Sequence, residues 1–156
     1  MLNLIGVHEC KMDAKGRVAI PAGLKKQLLP VLDQGFVLKR SVFQKCLELF
    51  PMQEWDQTMN KVNKLNRFVK KNNDFIRLYT AGVKLLDVDG SNRINIPKDL
   101  IRYAGLKNEI VLSSAVGMIE IWDKEDYEKS LDSMVDGFGD LAEDVMGSLN
   151  EPDELS

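Results

Sequence analysis

Asp13-Ala-Lys-Gly-Arg-Val-Ala-Ile-Pro21 is the stretch that decides the fold, because the chain contains its pattern twice. The second copy is Asp89-Gly-Ser-Asn-Arg-Ile-Asn-Ile-Pro97. In both copies an arginine follows the aspartate by four residues, and a β-branched residue, one variable position, isoleucine and proline come next. An internal repeat constrains a fold more strongly than local propensity does, so the rest of the chain is interpreted from it.

The repeat continues beyond the proline. Phe36-Val-Leu38 corresponds to Ile110-Val-Leu112, and Leu47-Glu-Leu-Phe50 corresponds to Ile119-Glu-Ile-Trp122. The offset between copies is 76 residues at the motif, then 74, then 72, so the second copy is shorter in two loops, which tolerate such losses. Two copies are too few for a solenoid, and a unit of about 50 residues is marginal alone. We therefore expect a pseudo-symmetric pair with a shared core.

Each motif predicts a tight turn between two short strands. Gly16 can adopt a positive φ without steric penalty, and Asp13 can accept hydrogen bonds from main-chain amides two residues further on. Asn92 stands at the glycine position of the second copy, and asparagine also tolerates the left-handed region. Pro21 and Pro97 end the strands and suit the first turn of a helix.

Hydrophobic periodicity predicts the remaining elements. Strands are predicted at residues 4–12, 17–20, 36–40, 47–50, 83–86, 93–96, 110–112 and 119–122. Short helices follow each proline, and an amphipathic helix of about 20 residues is predicted over 52–71. A last helix is predicted to begin after Asp123 as its N-cap.

The net charge of −3 conceals an asymmetry. Residues 1–80 hold 14 Lys and Arg against 7 Asp and Glu, a balance of +7, whereas residues 81–156 hold 7 against 17, a balance of −10. The acidic excess lies in residues 123–156, with 2 basic and 12 acidic side chains. A basic half beside an acidic tail indicates a polyanionic partner, although two solvated faces would give the same counts.

Other functional classes find little support. His8, Cys10 and Cys46 form neither a zinc tetrad nor a nucleophile–base pair with an orienting group. Asp87-Val-Asp-Gly90 resembles the start of a calcium loop, but its glycine is at position 4, and Lys98 stands where the bidentate glutamate belongs. No phosphate-binding glycine loop, secretory signal or bilayer-spanning run is evident. We predict a reduced, intracellular, non-enzymatic protein with no cofactor, metal, small-molecule substrate or membrane partner.

The two motif arginines admit two interpretations. Arg17 and Arg93 can project from hairpin tips into the major groove, which admits a two-stranded ribbon, and can bind guanine with two hydrogen bonds. Lys15 would add a phosphate contact. Alternatively, each arginine only forms an ion pair that stiffens its turn with Asp13 or Asp89. The same spacing in the same strand-then-proline frame, twice, favours DNA contact.

The paired motifs resemble those of the SpoVT–AbrB group of DNA-binding proteins, and their duplication in one chain is similar to the MraZ family. The resemblance covers about residues 1–130 and rests on Asp13–Pro21, Arg77-Leu-Tyr-Thr-Ala-Gly82, Asp89–Leu100 and Ile119-Glu-Ile-Trp-Asp123. It implies a β-rich α+β fold, a swapped-hairpin AbrB-like barrel in which two hairpin repeats interlock, with short helices and longer helices after each repeat.

The resemblance also implies a division of the chain into three parts. Residues 1–72 would form the first SpoVT–AbrB repeat with its following helix, residues 73–131 the second repeat, and residues 132–156 an acidic C-terminal tail. The acidic tail is not part of the pattern that carries the resemblance.

The function implied by the resemblance is that of a sequence-specific DNA-binding transcriptional regulator, a repressor. It would bind double-stranded DNA at direct repeats upstream of the bacterial division and cell-wall gene cluster. The resemblance implies a cytoplasmic, nucleoid-associated homo-oligomer in the form of a ring. Carried over by position, Arg17 and Arg93 contact DNA, Asp13 and Asp89 are their turn partners, and Lys15 is a supporting contact.

Two departures from the family pattern concern the second tip. Asn92 replaces the usual glycine before Arg93, and Ser91 stands where the first tip has Lys15. The second tip is therefore expected to bind DNA more weakly or to serve as structure. The alternative function is a protein–protein module, antitoxin-like, that uses the helix over 52–71 and the acidic helix after Asp123 to bind a partner.

Overall fold

A computed structural model describes residues 2–150 of the protein. Two compact units divide after Lys124, and the first unit contains both copies of the motif. The last six residues of the predicted acidic tail, 151–156, lie outside the described residues. The three-part division at 72 and 131 stays a prediction.

The two copies build the same series of elements. The first contains β1 Val7–Lys11, β2 Arg17–Ala19, α1 Ala22–Leu28, a 3₁₀ turn Leu29–Gln34, β3 Phe36–Arg40, β4 Leu47–Pro51, α2 Met52–Val62 and α3 Lys70–Tyr79. The second contains β5 Lys84–Leu86, β6 Arg93–Asn95, α4 Lys98–Ala104, β7 Glu109–Ala115, β8 Met118–Asp123, α5 Lys124–Met134 and α6 Phe138–Gly147, followed by a 3₁₀ turn Ser148–Asn150.

The strands of the two copies alternate in space. Six of them form an antiparallel sheet in the order β1-β7-β8-β4-β3-β5, and β2 pairs with β6 as a separate two-stranded ribbon. The first strand of each copy pairs with the third strand of the other, β1 with β7 and β5 with β3. The α+β class and the interlocking of two repeats are thus confirmed. Among the described strands the six-stranded sheet stays open and does not close into a barrel.

The hydrophobic core lies on one face of this sheet and is shared by the two copies. Val18 of β2 and Ile94 of β6 are opposite each other in the ribbon, and both are fully buried in the core on this face of the six-stranded sheet. Equivalent pairs of buried residues extend the core: Ile20 and Ile96, Leu24 and Leu100, Leu28 and Ala104, Leu38 and Leu112, Leu49 and Ile121. Each large aliphatic side chain contributes about 1.5–3 kcal/mol by burial. Half of this cluster would be missing from either copy alone.

The other face of the sheet is covered by helices α2 and α3 through stacked aromatic rings. Trp55 contacts Phe50 edge-on at a centroid distance of 5.6 Å and stacks on Tyr79 at 6.2 Å. Beneath them Lys39 is buried, with its Nζ 4.2 Å from the Tyr79 ring centroid and 3.5 Å from Glu48 Oε1. Burial lowers the pKa of Lys39, while the neighbouring Glu48 carboxylate opposes that shift. Ring and carboxylate together compensate a cation that would otherwise be costly to bury.

The prediction of one helix over 52–71 is wrong. The chain forms α2 and α3 instead, because asparagine side chains bind the backbone between them and compete with the helix. Asn66 Oδ1 accepts a hydrogen bond from the amide of Phe68 at 2.9 Å. Asn73 Nδ2 donates to the carbonyl of Arg67 at 2.7 Å, and Arg67 Nε donates back to Asn73 Oδ1 at 2.7 Å.

The single helix predicted after Asp123 is also divided in two. The chain breaks between α5 and α6 at Gly137, whose φ is 87°. Asp123 ends β8, is buried, and lies 3.7 Å from Lys107 Nζ through its Oδ2. Each copy therefore ends in a pair of helices, and the pairs differ in charge. Residues 52–79 hold six basic and three acidic side chains, whereas residues 124–147 hold two and eight.

We predict that the two copies unfold in one transition because they share their core. Leu100→Ala should lower the free energy of unfolding by about 2–5 kcal/mol and should shift the whole transition. Urea denaturation followed by the fluorescence of Trp55 and Trp122 measures this, with Leu29→Ala, at an exposed position, as the control. Two separate transitions, one per copy, would contradict the shared core.

Candidate nucleic-acid interface

The first motif folds as a turn organised by Asp13. Its Oδ1 accepts hydrogen bonds from the amides of Lys15 and Arg17, both at 2.9 Å, and its Oδ2 accepts one from Arg17 Nε at 2.8 Å. Gly16 has a φ of 84°. A Cβ at this position would lie 2.7 Å from the carbonyl oxygen of Ile96. The glycine is therefore required both by its conformation and by the close approach of the other copy.

The second motif repeats this geometry. Asp89 Oδ1 accepts hydrogen bonds from the amides of Ser91 at 2.8 Å and Arg93 at 2.9 Å, and its Oδ2 accepts one from Arg93 Nε at 3.1 Å. Asn92 adopts a φ of 59°, within the left-handed region that asparagine tolerates. The replacement of glycine by asparagine leaves the hydrogen bonds of the turn in place.

These hydrogen bonds lower the pKa of both aspartates. For Asp13 the largest cause is the main-chain amide of Arg17, and for Asp89 it is the main-chain amide of Arg93. Hydrogen bonds to a carboxylate favour its charged form. Both aspartates thus stay charged beside their arginines at neutral pH.

The ribbon brings the two arginines together. In the β2–β6 register Arg17 is opposite Asn95, and Ala19 is opposite Arg93. Because side chains alternate along a strand, both arginines lie on the solvent face, opposite to the buried Val18. They are diagonal neighbours, which places the two residues roughly 7–8 Å apart across the ribbon. The two motifs form one surface, which we call the arginine face: Arg17, Arg93 and Asn95.

The ion pairs and a DNA contact are compatible. Within the guanidinium group of each arginine, only Nε donates to the aspartate. Among the described residues, neither arginine forms another side-chain hydrogen bond, so both Nη nitrogens of each guanidinium are available as donors. An arginine whose Nε is fixed in this way is oriented before any ligand arrives. The aspartate therefore positions the side chain instead of neutralising its donors.

Asn95 was missed by the sequence analysis. It occupies the variable position of the second motif and is exposed on the arginine face. The strand period of two, counted from Arg93, could have found it. Asparagine can bind adenine through two hydrogen bonds in the major groove.

The surroundings of the two tips differ in charge. An open cleft of about 490 Å³ beside the first tip is lined by Asp13 and by Lys98 and Arg102 of α4. A cleft of about 500 Å³ beside the second tip is lined by Asp89 and Asp33, with apolar residues of the 3₁₀ turn. Lys15 is exposed on the first tip. Of these two clefts, only the one beside the first tip is lined by cations that suit phosphate contacts.

The cysteines and the possible metal ligands noted in the sequence do not form a reactive site. Burial raises the pKa of Cys10 to about 11 and that of Cys46 to about 12, so both thiols are protonated and unreactive at neutral pH. Among residues 2–150, no group of three His, Cys, Asp or Glu side chains is placed to hold a metal ion. None of the described helices is long and apolar enough to span a bilayer.

We predict that Gly16→Ala destabilises the protein and that Asn92→Gly does not. Alanine at position 16 would combine a strained positive φ with the contact to Ile96, at a cost of about 1–3 kcal/mol. Glycine at position 92 removes a side chain from a conformation that glycine adopts freely. Thermal unfolding of the two variants compares these effects. Equal melting temperatures would contradict the conclusion that position 16 requires glycine.

We also predict that the turns loosen in acid. The folded pKa of both aspartates is lower than the ordinary value of 3.8. The stabilisation of each turn by its charged aspartate is therefore complete above pH 3.8. It is lost as the pH falls through the lower folded pKa. The protection of the Lys15 and Ser91 amides against hydrogen exchange, relative to the intrinsic rate at each pH, should therefore fall only below about pH 3.8. In Asp89→Asn, exchange at Ser91 should lose this dependence while Lys15 retains it.

Comparison with known proteins agrees with the duplicated architecture. The family model "MraZ protein, putative antitoxin-like" matches residues 4–78 and again residues 80–144. Transcriptional regulator MraZ of Christiangramia forsetii is 60% identical over 148 residues, covering 95% of this chain and 96% of the relative. The protein of the same name from Flavobacterium psychrophilum is 60% identical over 151 residues, covering 97% and 96%. That from Phocaeicola vulgatus is 33% identical over 150 residues, covering 96% and 97%. The resemblance inferred from the two motifs is confirmed, and the chain belongs to the MraZ family.

Proposed function

We propose that the protein is a sequence-specific DNA-binding transcriptional regulator whose arginine face contacts the major groove. The observation that carries this proposal is the pairing of β2 with β6, which presents two oriented arginines on one exposed ribbon. Relatives that are 60% identical along nearly the whole chain are named as transcriptional regulators, which supports the same role here.

The geometry suits direct reading of base edges. A two-stranded ribbon fits the major groove, and a guanidinium can donate two hydrogen bonds to O6 and N7 of guanine. Arg17 and Arg93 each retain two Nη nitrogens for such contacts. Asn95, opposite Arg17 in the ribbon, adds a donor and an acceptor that suit adenine. Lys15, with Lys98 and Arg102 beside the first tip, would bind phosphates and set the position of the ribbon on the duplex.

The two tips contribute unequally in this proposal. Both arginines have the same support, but the cleft beside the first tip is lined by Lys98 and Arg102, whereas the cleft beside the second is lined by Asp33. Phosphate contacts supply much of the affinity of a DNA-binding protein. The first tip therefore provides most of the binding energy, and Arg93 adds base recognition to it.

A single ribbon offers few contacts, so several copies would act together. Linked binding sites raise the overall affinity without any new contact. We propose a ring-shaped homo-oligomer that binds direct repeats upstream of the division and cell-wall gene cluster and represses its transcription. The protein would then be cytoplasmic and associated with the nucleoid. The family membership supports this assignment.

An antitoxin-like protein–protein module is the second candidate. The family description includes the term antitoxin-like. The asparagine-bound loop between α2 and α3 presents Phe68 at 99% exposure, and α6 exposes Phe138, Leu141 and Val145. A stoichiometric second protein that co-purifies with the chain and dissociates in Phe68→Asp would favour this function.

We predict that Arg17→Ala and Arg93→Ala each weaken binding to the upstream repeats by about 1–3 kcal/mol. Both should relax the preference over scrambled DNA, and Arg17→Ala should do so more strongly. Fluorescence anisotropy at two salt concentrations measures the effect. Arg67→Ala, on the loop between α2 and α3 and away from the ribbon, is the matched control and should leave the preference unchanged. Native protein with no preference at any salt concentration would refute the proposed function.

Lys15→Ala should behave differently from the arginine variants. A lysine that binds a phosphate carries no sequence information. The substitution should weaken binding to repeat and scrambled DNA alike and reduce the slope of log K against log salt by about 1. Loss of preference for the repeats without a change in slope would assign Lys15 to base recognition instead.

A further inference from the structure

We propose that the β2–β6 ribbon recognises a directional DNA element, because the side chain beside each arginine differs between the two ends of the ribbon. Arg17 with Asn95 binds a guanine next to an adenine, and Arg93 with Ala19 binds a guanine next to a thymine. This inference rests on the proposed function and deepens it, since it assigns base preferences to single side chains. Two equivalent arginines alone would select a palindromic element, and Asn95 and Ala19 give that element a direction.

The four outward side chains of the ribbon form two cross-strand pairs. Arg17 is opposite Asn95, and Ala19 is opposite Arg93. The fully buried pair between them faces the core. Each outward pair thus joins the arginine of one copy to the variable position of the motif in the other copy.

The two outward pairs are of the type whose side chains lie closest together. The amide of Ile96 donates to the carbonyl of Gly16 at 2.8 Å. Hydrogen-bonded and non-hydrogen-bonded pairs alternate along an antiparallel ribbon, so the pair of Arg17 and Asn95 is non-hydrogen-bonded, with Cα atoms about 4.5 Å apart. The same holds for the other outward pair. Adjacent base pairs are about 3.4 Å apart along one DNA strand, so the two members of a pair can contact neighbouring bases.

Asn95 belongs to the second copy in sequence but lies at the first tip in space. A Cβ on Gly16 would be 3.4 Å from Asn95 Oδ1, so the amide group lies against the turn that carries Arg17. Asn95 is exposed, and its side chain forms no hydrogen bond with any described residue. Its amino group and its carbonyl oxygen are therefore both available for an adenine, which offers N7 as acceptor and N6 as donor in the major groove.

Ala19 gives the second tip a different preference. It is exposed and occupies the position of the first motif that is equivalent to Asn95. A methyl group neither donates nor accepts a hydrogen bond, and the feature of a base edge that it favours is the C5-methyl group of thymine. Beside Arg93 the ribbon therefore selects a thymine methyl group, whereas beside Arg17 it selects the polar edge of adenine.

The difference in cations between the tips cannot replace this code. Lys15 and its neighbours suit phosphate contacts, and such contacts carry no sequence information directly. Direction in the recognised element must therefore come from the outward pairs. A directional element also agrees with the direct repeats of the proposed function, because direct and inverted repeats of a palindromic element would be identical.

Base selection by the native protein from a randomised duplex is the first measurement, and it should yield a non-palindromic element. Fluorescence anisotropy with single base-pair substitutions in that element then locates each contact. Arg17→Ala should lose the preference for one guanine, and Asn95→Ala should lose about tenfold in preference for the adenine next to it. Loss of an adenine that does not neighbour the guanine of Arg17 would contradict the cross-strand pairing.

The exchange variant Ala19→Asn/Asn95→Ala provides the sharpest test. It has the composition of the native protein and places the same two side chains at opposite ends of the ribbon. Its preferred element should carry the adenine beside the guanine of Arg93 and the thymine beside the guanine of Arg17. The native protein should bind this transposed element about tenfold more weakly than its own, and the exchange variant should show the reverse order.

The single variants separate recognition from folding. Asn95→Ala should make the two outward pairs alike and the preferred element palindromic with thymine at both ends, and Ala19→Asn should make it palindromic with adenine. Both positions are exposed, so both variants should keep the native melting temperature. Asn60→Ala, exposed on α2 and outside the ribbon, is the matched control and should select the native element.

Either of two results would overturn the inference: a palindromic element for the native protein, or an unchanged preference in the exchange variant. Neither result affects the proposed function as long as Arg17→Ala and Arg93→Ala lose their preference for the upstream repeats. A native protein without any base preference would refute the proposed function, and this inference with it.

Discussion

The pairing of β2 with β6 is the constraint on which the rest of the structure depends. Each strand of this ribbon is too short to be stable alone, so each is held by the other copy. The amide of Ile96 donates to the carbonyl of Gly16 at 2.8 Å, and the amide of Ile20 donates to that of Asn92 at 3.0 Å. The same pairing buries Val18 and places the arginines outward. Core formation and presentation of the arginine face therefore have one cause.

The duplicated chain is pseudo-symmetric in backbone but not in charge. Gly16 and Asn92 support equivalent turns, and both aspartates bind their arginines alike. The surroundings differ because each tip lies against elements of the other copy, and those elements have diverged in sequence. The first tip lies beside the cations of α4 and the second beside Asp33. Duplication within one chain thus allows two similar tips to acquire different roles, which two identical chains could not do.

The sequence predicted most elements because their signals are local. The spacing of Asp13 and Arg17, with a residue between them that tolerates positive φ, is sufficient for the turn. Both long helices were predicted wrongly, also for local reasons: the last one breaks at Gly137, where φ is positive, and the helix over 52–71 breaks at asparagines. The apolar positions continue at helical spacing through residues 63–69, but Asn66 and Asn73 bind the backbone there. Hydrophobic periodicity depends only on which residues are apolar. It carries no information about polar side chains that compete with the helix for backbone hydrogen bonds.

By itself the sequence determined the repeat, the turns, the aspartate–arginine pairs and the family, because each follows from residues close together in the chain. Only the tertiary structure decided that β2 pairs with β6, so that Arg17, Arg93 and Asn95 share one face. It also decided which side chains line the cleft beside each tip. These features depend on strand partners that are about 75 residues apart in sequence, and such partners are chosen by burial of a common core, which no local pattern specifies.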